Sequence, residues 1–243
     1  ALDERRIRWI NYQVPTKADQ VQAMYEIGAA EIGAACTKVP VFWRAIAKAE
    51  DKEEFWVSYA GTIGTSYDIR TMVLAGEELA KRGMPQIKIK ILGGGPMKEE
   101  LEELANSRKI SNVEFVGYAP YDLMAAYLKK SDILVNSFVK KAPQSIVTKI
   151  GDYLAAGKPM INTCMSPEFR AKVKNDGFGV NIIPEDVNIL ADMIEKLYKN
   201  EEARVKMGEK ARKIAEEQFD RPKSYRKIEE LIRGLIEKNQ NRN

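Results

Sequence analysis

The 243-residue chain contains no histidine. That absence excludes Ser-His-Asp and Cys-His nucleophilic machinery, HExxH metalloprotease sites and the usual imidazole metal sites, each of which needs a side chain titrating near neutrality or a nitrogen ligand. Cysteine is scarce. Cys36 and Cys164 are the only two and form no CxxC spacing, so neither a disulfide framework nor a zinc site is suggested. Long hydrophobic runs are missing as well: no stretch approaches the ~18 apolar residues of a membrane-spanning helix, and no charged-then-apolar signal stretch opens the chain. A soluble, cytoplasmic protein is therefore expected, with chemistry that runs on carboxylates, lysines, hydroxyls, backbone dipoles or a partner.

What is present is ordinary globular material, 44% hydrophobic and 30% charged, enough for a substantial core. The net charge of +4 is unevenly spread: 14 Lys/Arg against 9 Asp/Glu between Lys196 and Asn243 give that stretch +5 and leave −1 for the rest. The excess reads as solvated helix faces laced with i,i+4 ion pairs, with a surface preferring anionic lipid or an acidic substrate as the alternative. Aromatics do not interleave with the basic residues there, which argues against nucleic acid.

From residue 55 onward, short apolar runs rich in β-branched and aromatic residues alternate with amphipathic stretches, the pattern of a parallel sheet with crossover helices. Strands are expected at Phe55–Ala60, Ile87–Leu92, Val113–Val116, Ile133–Asn136, Pro159–Asn162 and Gly179–Ile182. Helices are expected from Asp68 to Gly83, Lys98 to Asn106, Tyr121 to Lys130, Ser145 to Gly157, Asp186 to Lys199, Glu201 to Gln218 and Pro222 to Glu237. The fold class is thus α/β, a doubly wound, mostly parallel six-stranded Rossmann-like sheet whose ligand lies at the carboxyl ends of the strands. Residues 1–54 break this rhythm. They read as a short helical segment introduced by a capping box at Thr16 and Asp19, with the charge cluster Glu50–Glu54 as the boundary to a domain spanning 55–221 and a final helical segment over 222–243.

Three segments carry candidate chemistry. Gly61-Thr62-Ile63-Gly64 follows the first strand and precedes a helix, where small residues let backbone N–H groups and a positive helix end approach an anion; a plain tight turn is the alternative. Gly93-Gly94-Gly95-Pro96 is a second strand-to-helix loop. It is not GxGxxG and has no acidic partner about 20 residues on, which disfavours NAD and leaves another nucleotide or a simple turn. In Pro143 to Thr163, a helix opening at Ser145 places Ser145, Lys149 and Asp152 at i, i+4 and i+7 on one face. That stripe could hold a nucleotide diphosphate: Lys149 neutralising phosphate, the helix end at Ser145 and Ile146 adding donors, Asp152 accepting from two ribose hydroxyls. A solvated Lys-Asp pair at i,i+3 is the plainer alternative.

The order YAGTIGTSYDI, KIKILGGGP, VEFVGYAPYDLMAAYLKKSDILVNS, PQSIVTKIGDYLAAGKPMIN and a basic C-terminal run, over residues of about 56 to 236, resembles the C-terminal donor-binding domain of retaining glycosyltransferases of the GT-B fold, the family 4-like group 1 type of bacterial polysaccharide synthesis. The resemblance implies that Gly61, Thr62, Gly64 and Gly94 face the donor diphosphate, that the backbone of Val116, Gly117 and Tyr118 holds the base, that Lys149 contacts phosphate and that Asp152 binds ribose. Lys149 and Asp152 would be the catalytic pair. It also implies a nucleotide-sugar donor, most naturally UDP-linked, a glycan or lipid-linked acceptor, and a leaving group stabilised without a metal, in keeping with the lack of a DxD motif.

The sequence departs from that family in two places. An acidic pair is expected where this chain has Ser145 and Asp152, and the basic pair that follows the first glycine is replaced by Thr62 and, later, Tyr67 and Arg70. Phosphate neutralisation would then fall on Lys149, with Lys140 and Lys141 as further candidates. The family's separate acceptor domain is also not matched by the first 54 residues, so the chain is expected to need such a domain or partner subunit for turnover, with residues 222–243 packing back on the N-terminal segment. Two other readings stand beside this one. A nucleotide-sugar epimerase is disfavoured by the missing histidines; a non-catalytic nucleotide-binding module remains open. Weak peripheral contact with the inner membrane face is the remaining expectation.

Overall fold

The computed structural model describes residues 54–142, 147–220, 225–226 and 228–234. Six strands form one sheet: β1 (Phe55–Ala60), β2 (Ile87–Leu92), β3 (Val113–Gly117), β4 (Ile133–Asn136), β5 (Met160–Asn162) and β6 (Gly179–Asn181). Every pairing is parallel and the spatial order is β3-β2-β1-β4-β5-β6. Between them run α1 (Ile69–Lys81), α2 (Lys98–Ser107), α3 (Tyr121–Lys130), α4 (Lys149–Ala155) and α5 (Pro167–Asp176), and α6 (Val187–Tyr198) and α7 (Glu201–Gln218) follow β6. This is the doubly wound α/β sheet anticipated from the alternation of short apolar runs and amphipathic stretches. The chain winds outward from β1 in both directions, so a crevice opens between β1 and β4 at the carboxyl ends of the strands.

Both faces of β1 are buried, which is why its six residues read as a continuous apolar run. Phe55, Val57 and Tyr59 join α1, α6 and Ile87, Ile89 and Ile91 of β2 in one core layer. On the opposite face Trp56 stacks on Tyr127 of α3 at 5.5 Å, and Ser58 is hydrogen-bonded by Ser131 at 2.6 Å. Lys90 breaks the apolar run of β2 without cost to packing: its stem is buried, its ammonium lies over the Trp56 ring, and Glu114 pairs with it. Farther along the sheet, Asn136 of β4, Asn162 of β5 and Asn181 of β6 sit in register and join side chain to side chain at 2.8 Å each, locking strand register with a buried polar ladder.

Two differences from the sequence reading stand out. The helix expected from Ser145 opens at Lys149, with Val147 and Thr148 outside it. The β-branched Val147 and Thr148 lose rotamer freedom in a helix and delay its start. Conversely α5 was not expected at all, although Ser166 caps it through the Phe169 amide, Pro167 begins it and Gly177 ends it in the left-handed conformation at φ 68°. Its weak amphipathic pattern hid it. The helical segment expected within residues 1–53, and the packing of residues 222–243 on it, lie outside the described residues. On α7 the basic residues pair at i,i+4, Lys206 with Glu202 and Arg212 with Glu216, as the solvated-face reading anticipated. No helix among the described residues is long and apolar enough to cross a membrane.

Candidate functional site

At the carboxyl ends of β1, β2 and β3 the loops close on one another through backbone. The Gly61 amide donates to Leu92 O at 3.0 Å, Ile63 to Gly94 O at 2.9 Å and Gly93 to Gly117 O at 2.7 Å. A side chain at Gly93 would place its Cβ 1.9 Å from Gly61 O, and one at Gly95 would lie 2.3 Å from Ile63 O. The close approach these glycines permit is therefore to the neighbouring loop of the same protein. Gly94 differs, with open space around the position of a Cβ. β3 carries a bulge at Val116, because Ile91 pairs with Phe115 and Leu92 with Gly117. Beyond it Gly117 adopts φ 80° and Tyr118 is 88% exposed.

Beneath the first of these loops lies Lys149. As a residue it is half-buried, yet its Nζ is cut off from solvent and has no hydrogen-bond partner among the described residues. Three aromatic rings surround the ammonium: Tyr59 at 4.1 Å to the centroid, Tyr67 at 4.4 Å and Phe138 at 5.5 Å. Ring faces attract a cation by only ~0.5–2 kcal/mol each, less than the hydration the amine has given up. Burial accordingly pushes its pKa down from the ordinary lysine value to about 7. The roof of this cage is Gly61, at φ 149°, where a Cβ would stand 3.4 Å from Lys149 Nζ and 3.1 Å from the Tyr59 hydroxyl. Tyr59 itself is held by donating to Thr62 O at 2.7 Å, and burial raises its phenol well above the usual tyrosine range, so it remains a donor.

Asp152 lies one turn further along α4. Its Oδ1 accepts a 2.7 Å hydrogen bond from the Tyr121 hydroxyl, which comes from the first residue of α3. The rotation of α4 is fixed by the next residue: the fully buried Tyr153 accepts from the Ala60 amide at 2.7 Å. Asp68, where the first helix was expected to begin, caps α1 and does more than cap. Its buried carboxylate accepts from Thr71 N at 3.3 Å and Glu185 N at 2.8 Å, while its carbonyl accepts from Ser137 Oγ at 2.8 Å. Three loops are thus tied at the α1 terminus, and burial raises the Asp68 pKa despite these donors. The positive end of α1 already has its anion.

Of the residues named from sequence, the structure brings Gly61, Thr62 and Lys149 together, joins Gly94 to Ile63, and sets Val116, Gly117 and Tyr118 on the bulged end of β3. Ser145 and Ile146 lie outside the described residues. Arg70 is exposed, with Glu100 3.7 Å away, and Lys140 and Lys141 are exposed on a loop that meets the first through Val139 N and Ser66 O at 3.2 Å. The sequence reading passed over Tyr59, Phe138 and Tyr121. They lie in or just beyond three different elements, β1, β4 and α3, and no spacing along the chain links them.

The family model described as glycosyl transferases group 1 matches residues 43–214. An uncharacterized glycosyltransferase of Methanocaldococcus jannaschii is 24% identical over 191 residues, 78% of this chain and 47% of that protein. A glycosyl transferase of Escherichia coli K12 named for colanic acid biosynthesis is 26% identical over 181 residues, 73% of this chain and 43% of its own. The chain thus spans less than half the length of the curated relatives it matches. Among solved structures, Anabaena HepE in complex with UDP superposes with a TM-score of 0.67 at 16% identity, over 82% of this chain and 54% of that one, which shows a shared fold.

Proposed function

Because the chain belongs to the glycosyl transferases group 1 family, we propose that it supplies the donor half of such an enzyme, holding a nucleotide diphosphate sugar, with UDP as the carrier. The observation that carries this reading is the Lys149 ammonium, sealed among three rings under Gly61 with no hydrogen-bond partner among the described residues. A buried cation so placed is uncompensated until an anion arrives, and the room left by the missing Gly61 side chain is where a phosphate oxygen would reach it. Asp152, on the same face of α4, would accept the ribose hydroxyls, and the backbone at Val116 to Tyr118 would face the base. That a structure of the same fold is complexed with UDP supports this choice of base.

In the reaction, sugar transfer leaves a diphosphate whose negative charge grows as the glycosidic bond breaks. Lys149 would stabilise that charge and thereby act on the transition state more than on the bound donor. We take the transfer to be of a hexose or amino-hexose with retention, onto a glycan or lipid-linked acceptor, at the cytoplasmic side of a membrane and in the service of surface polysaccharide synthesis. The colanic acid name of the E. coli relative supports that setting. An acceptor domain or subunit would complete the cleft. No divalent ion is assigned to donor binding, since Lys149 supplies the charge.

The test is calorimetric titration of UDP, GDP, ADP and NAD into the chain and into Lys149→Met, which keeps an unbranched side chain of similar length, one atom shorter, and removes its charge. UDP binding in the wild type that weakens on the order of 10- to 150-fold in the variant is expected. Equal binding of all four nucleotides, or none, would overturn the assignment.

A further inference from the structure

Tyr121 has no part in the reading above beyond its contact with Asp152. Its position is nonetheless informative. It is the first residue of α3, three residues past Tyr118 on the bulged end of β3, and Pro120 before it fixes the entry to the helix. From there its hydroxyl crosses to α4, 31 residues along the chain, and donates to Asp152 Oδ1 at 2.7 Å. Both residues are half-buried. A carboxylate torsion in such a place is soft, and a group that must accept from two vicinal hydroxyls at once needs its plane held. A phenol has only two side-chain torsions and binds an ionised oxygen in a short, charge-assisted bond, so it holds that plane at low entropic cost. Each carboxylate oxygen offers more than one lone-pair direction, so the Tyr121 bond by itself does not saturate the group.

We propose that Tyr121 is a positioning residue for donor recognition: it orients the Asp152 carboxylate toward the ribose hydroxyls and so couples the loop at the base end of the site to the sugar contact of the nucleotide. This rests on the donor-site reading of Asp152. The coupling is physical, because Tyr121 and the Val116–Tyr118 turn belong to one short stretch of chain. A base that shifts that turn shifts the hydroxyl that aims Asp152.

The experiment is titration of UDP and of 2′,3′-dideoxy-UDP, which lacks both hydroxyls, into the wild type, Tyr121→Phe, Asp152→Asn and the double variant. Tyr121→Phe is expected to weaken UDP about 3- to 10-fold while changing dideoxy-UDP less than about twofold, and to cost nothing more once Asp152 is already Asn. A purely structural tie between helices would weaken both ligands alike, and that result overturns the proposal, as does full additivity in the double variant. If Tyr121→Phe folds less well, the ratio of the two affinities still reads the role, since a loss of folded protein cancels from it. Asp152→Asn that binds UDP as tightly as wild type would instead sink the donor-site assignment of Asp152 itself, and this inference with it.

Discussion

The site is built in two different materials. On the side of β1 to β3 it is backbone against backbone: the loops at Gly61, Gly93 and Gly95 approach so closely that two of these glycines have carbonyl groups where a Cβ would stand. On the side of α4 it is side chain against side chain, an ammonium among rings and a carboxylate held by a phenol. In the first region the Gly61, Ile63 and Gly93 amides are matched by carbonyl groups of the protein itself. The second is left with an amine that nothing in the described residues satisfies. The contrast teaches which contacts the fold already satisfies and which are left for the donor phosphate, since a fold gains nothing from a buried, unpartnered charge.

The sharpest way to break that contrast is Gly93→Ala. Its methyl would meet Gly61 O at 1.9 Å, on a residue at φ 129°, so backbone must move; a loss of about 3 kcal/mol or more is expected in denaturant unfolding. A variant that unfolds like wild type would mean the loops are looser than drawn. Lys149→Met should behave in the opposite way. UDP affinity falls on the order of 10- to 150-fold, while the thermal midpoint at pH 7 holds or rises, because a buried charge has been replaced by a thioether of similar length. Loss of stability in this variant would make Lys149 a structural residue.

The pH dependence sharpens the same comparison. With a folded-state pKa of about 7 against an unfolded value of 10.5, the folded chain binds fewer protons than the unfolded one across that window. The Lys149 contribution to stability therefore rises with pH from about 7 toward 10.5. Ligand binding runs the other way. A diphosphate favours the charged amine, so UDP affinity should fall as pH rises above about 7, by at most about tenfold per unit, while the profile of Lys149→Met stays flat. A flat wild-type profile between pH 7.5 and 9 would count against the amine as the phosphate contact. The smallest effect is expected from chelation: EDTA should leave UDP affinity unchanged within about twofold, and a large loss would bring a divalent ion into the site.

Much of this was legible in the sequence, for reasons of locality. Strands such as Phe55–Ala60 and Ile133–Asn136 are short apolar runs whose burial on both faces is written in their composition, and Lys149 and Asp152 fall on one helix face by spacing alone. The delayed start of α4 and the unexpected α5 were missed where β-branching and a weak apolar stripe competed with the punctuation around them. The ring cage was not legible, because Tyr59 closes β1, Tyr67 precedes α1 and Phe138 follows β4; only the parallel sheet brings them to one point. Nor did the triple glycine disclose that its neighbour is another loop. Long-range contact, unlike periodicity, leaves no mark along the chain.

The central claim is that the caged amine of Lys149 awaits the donor phosphate, and counting protons tests it most directly. Calorimetry of UDP binding at pH 8, repeated in buffers of different ionisation enthalpy, gives the number of protons taken up with the nucleotide. The account predicts uptake approaching one proton in the wild type and none in Lys149→Met. UDP binding with no proton uptake in either protein would contradict it.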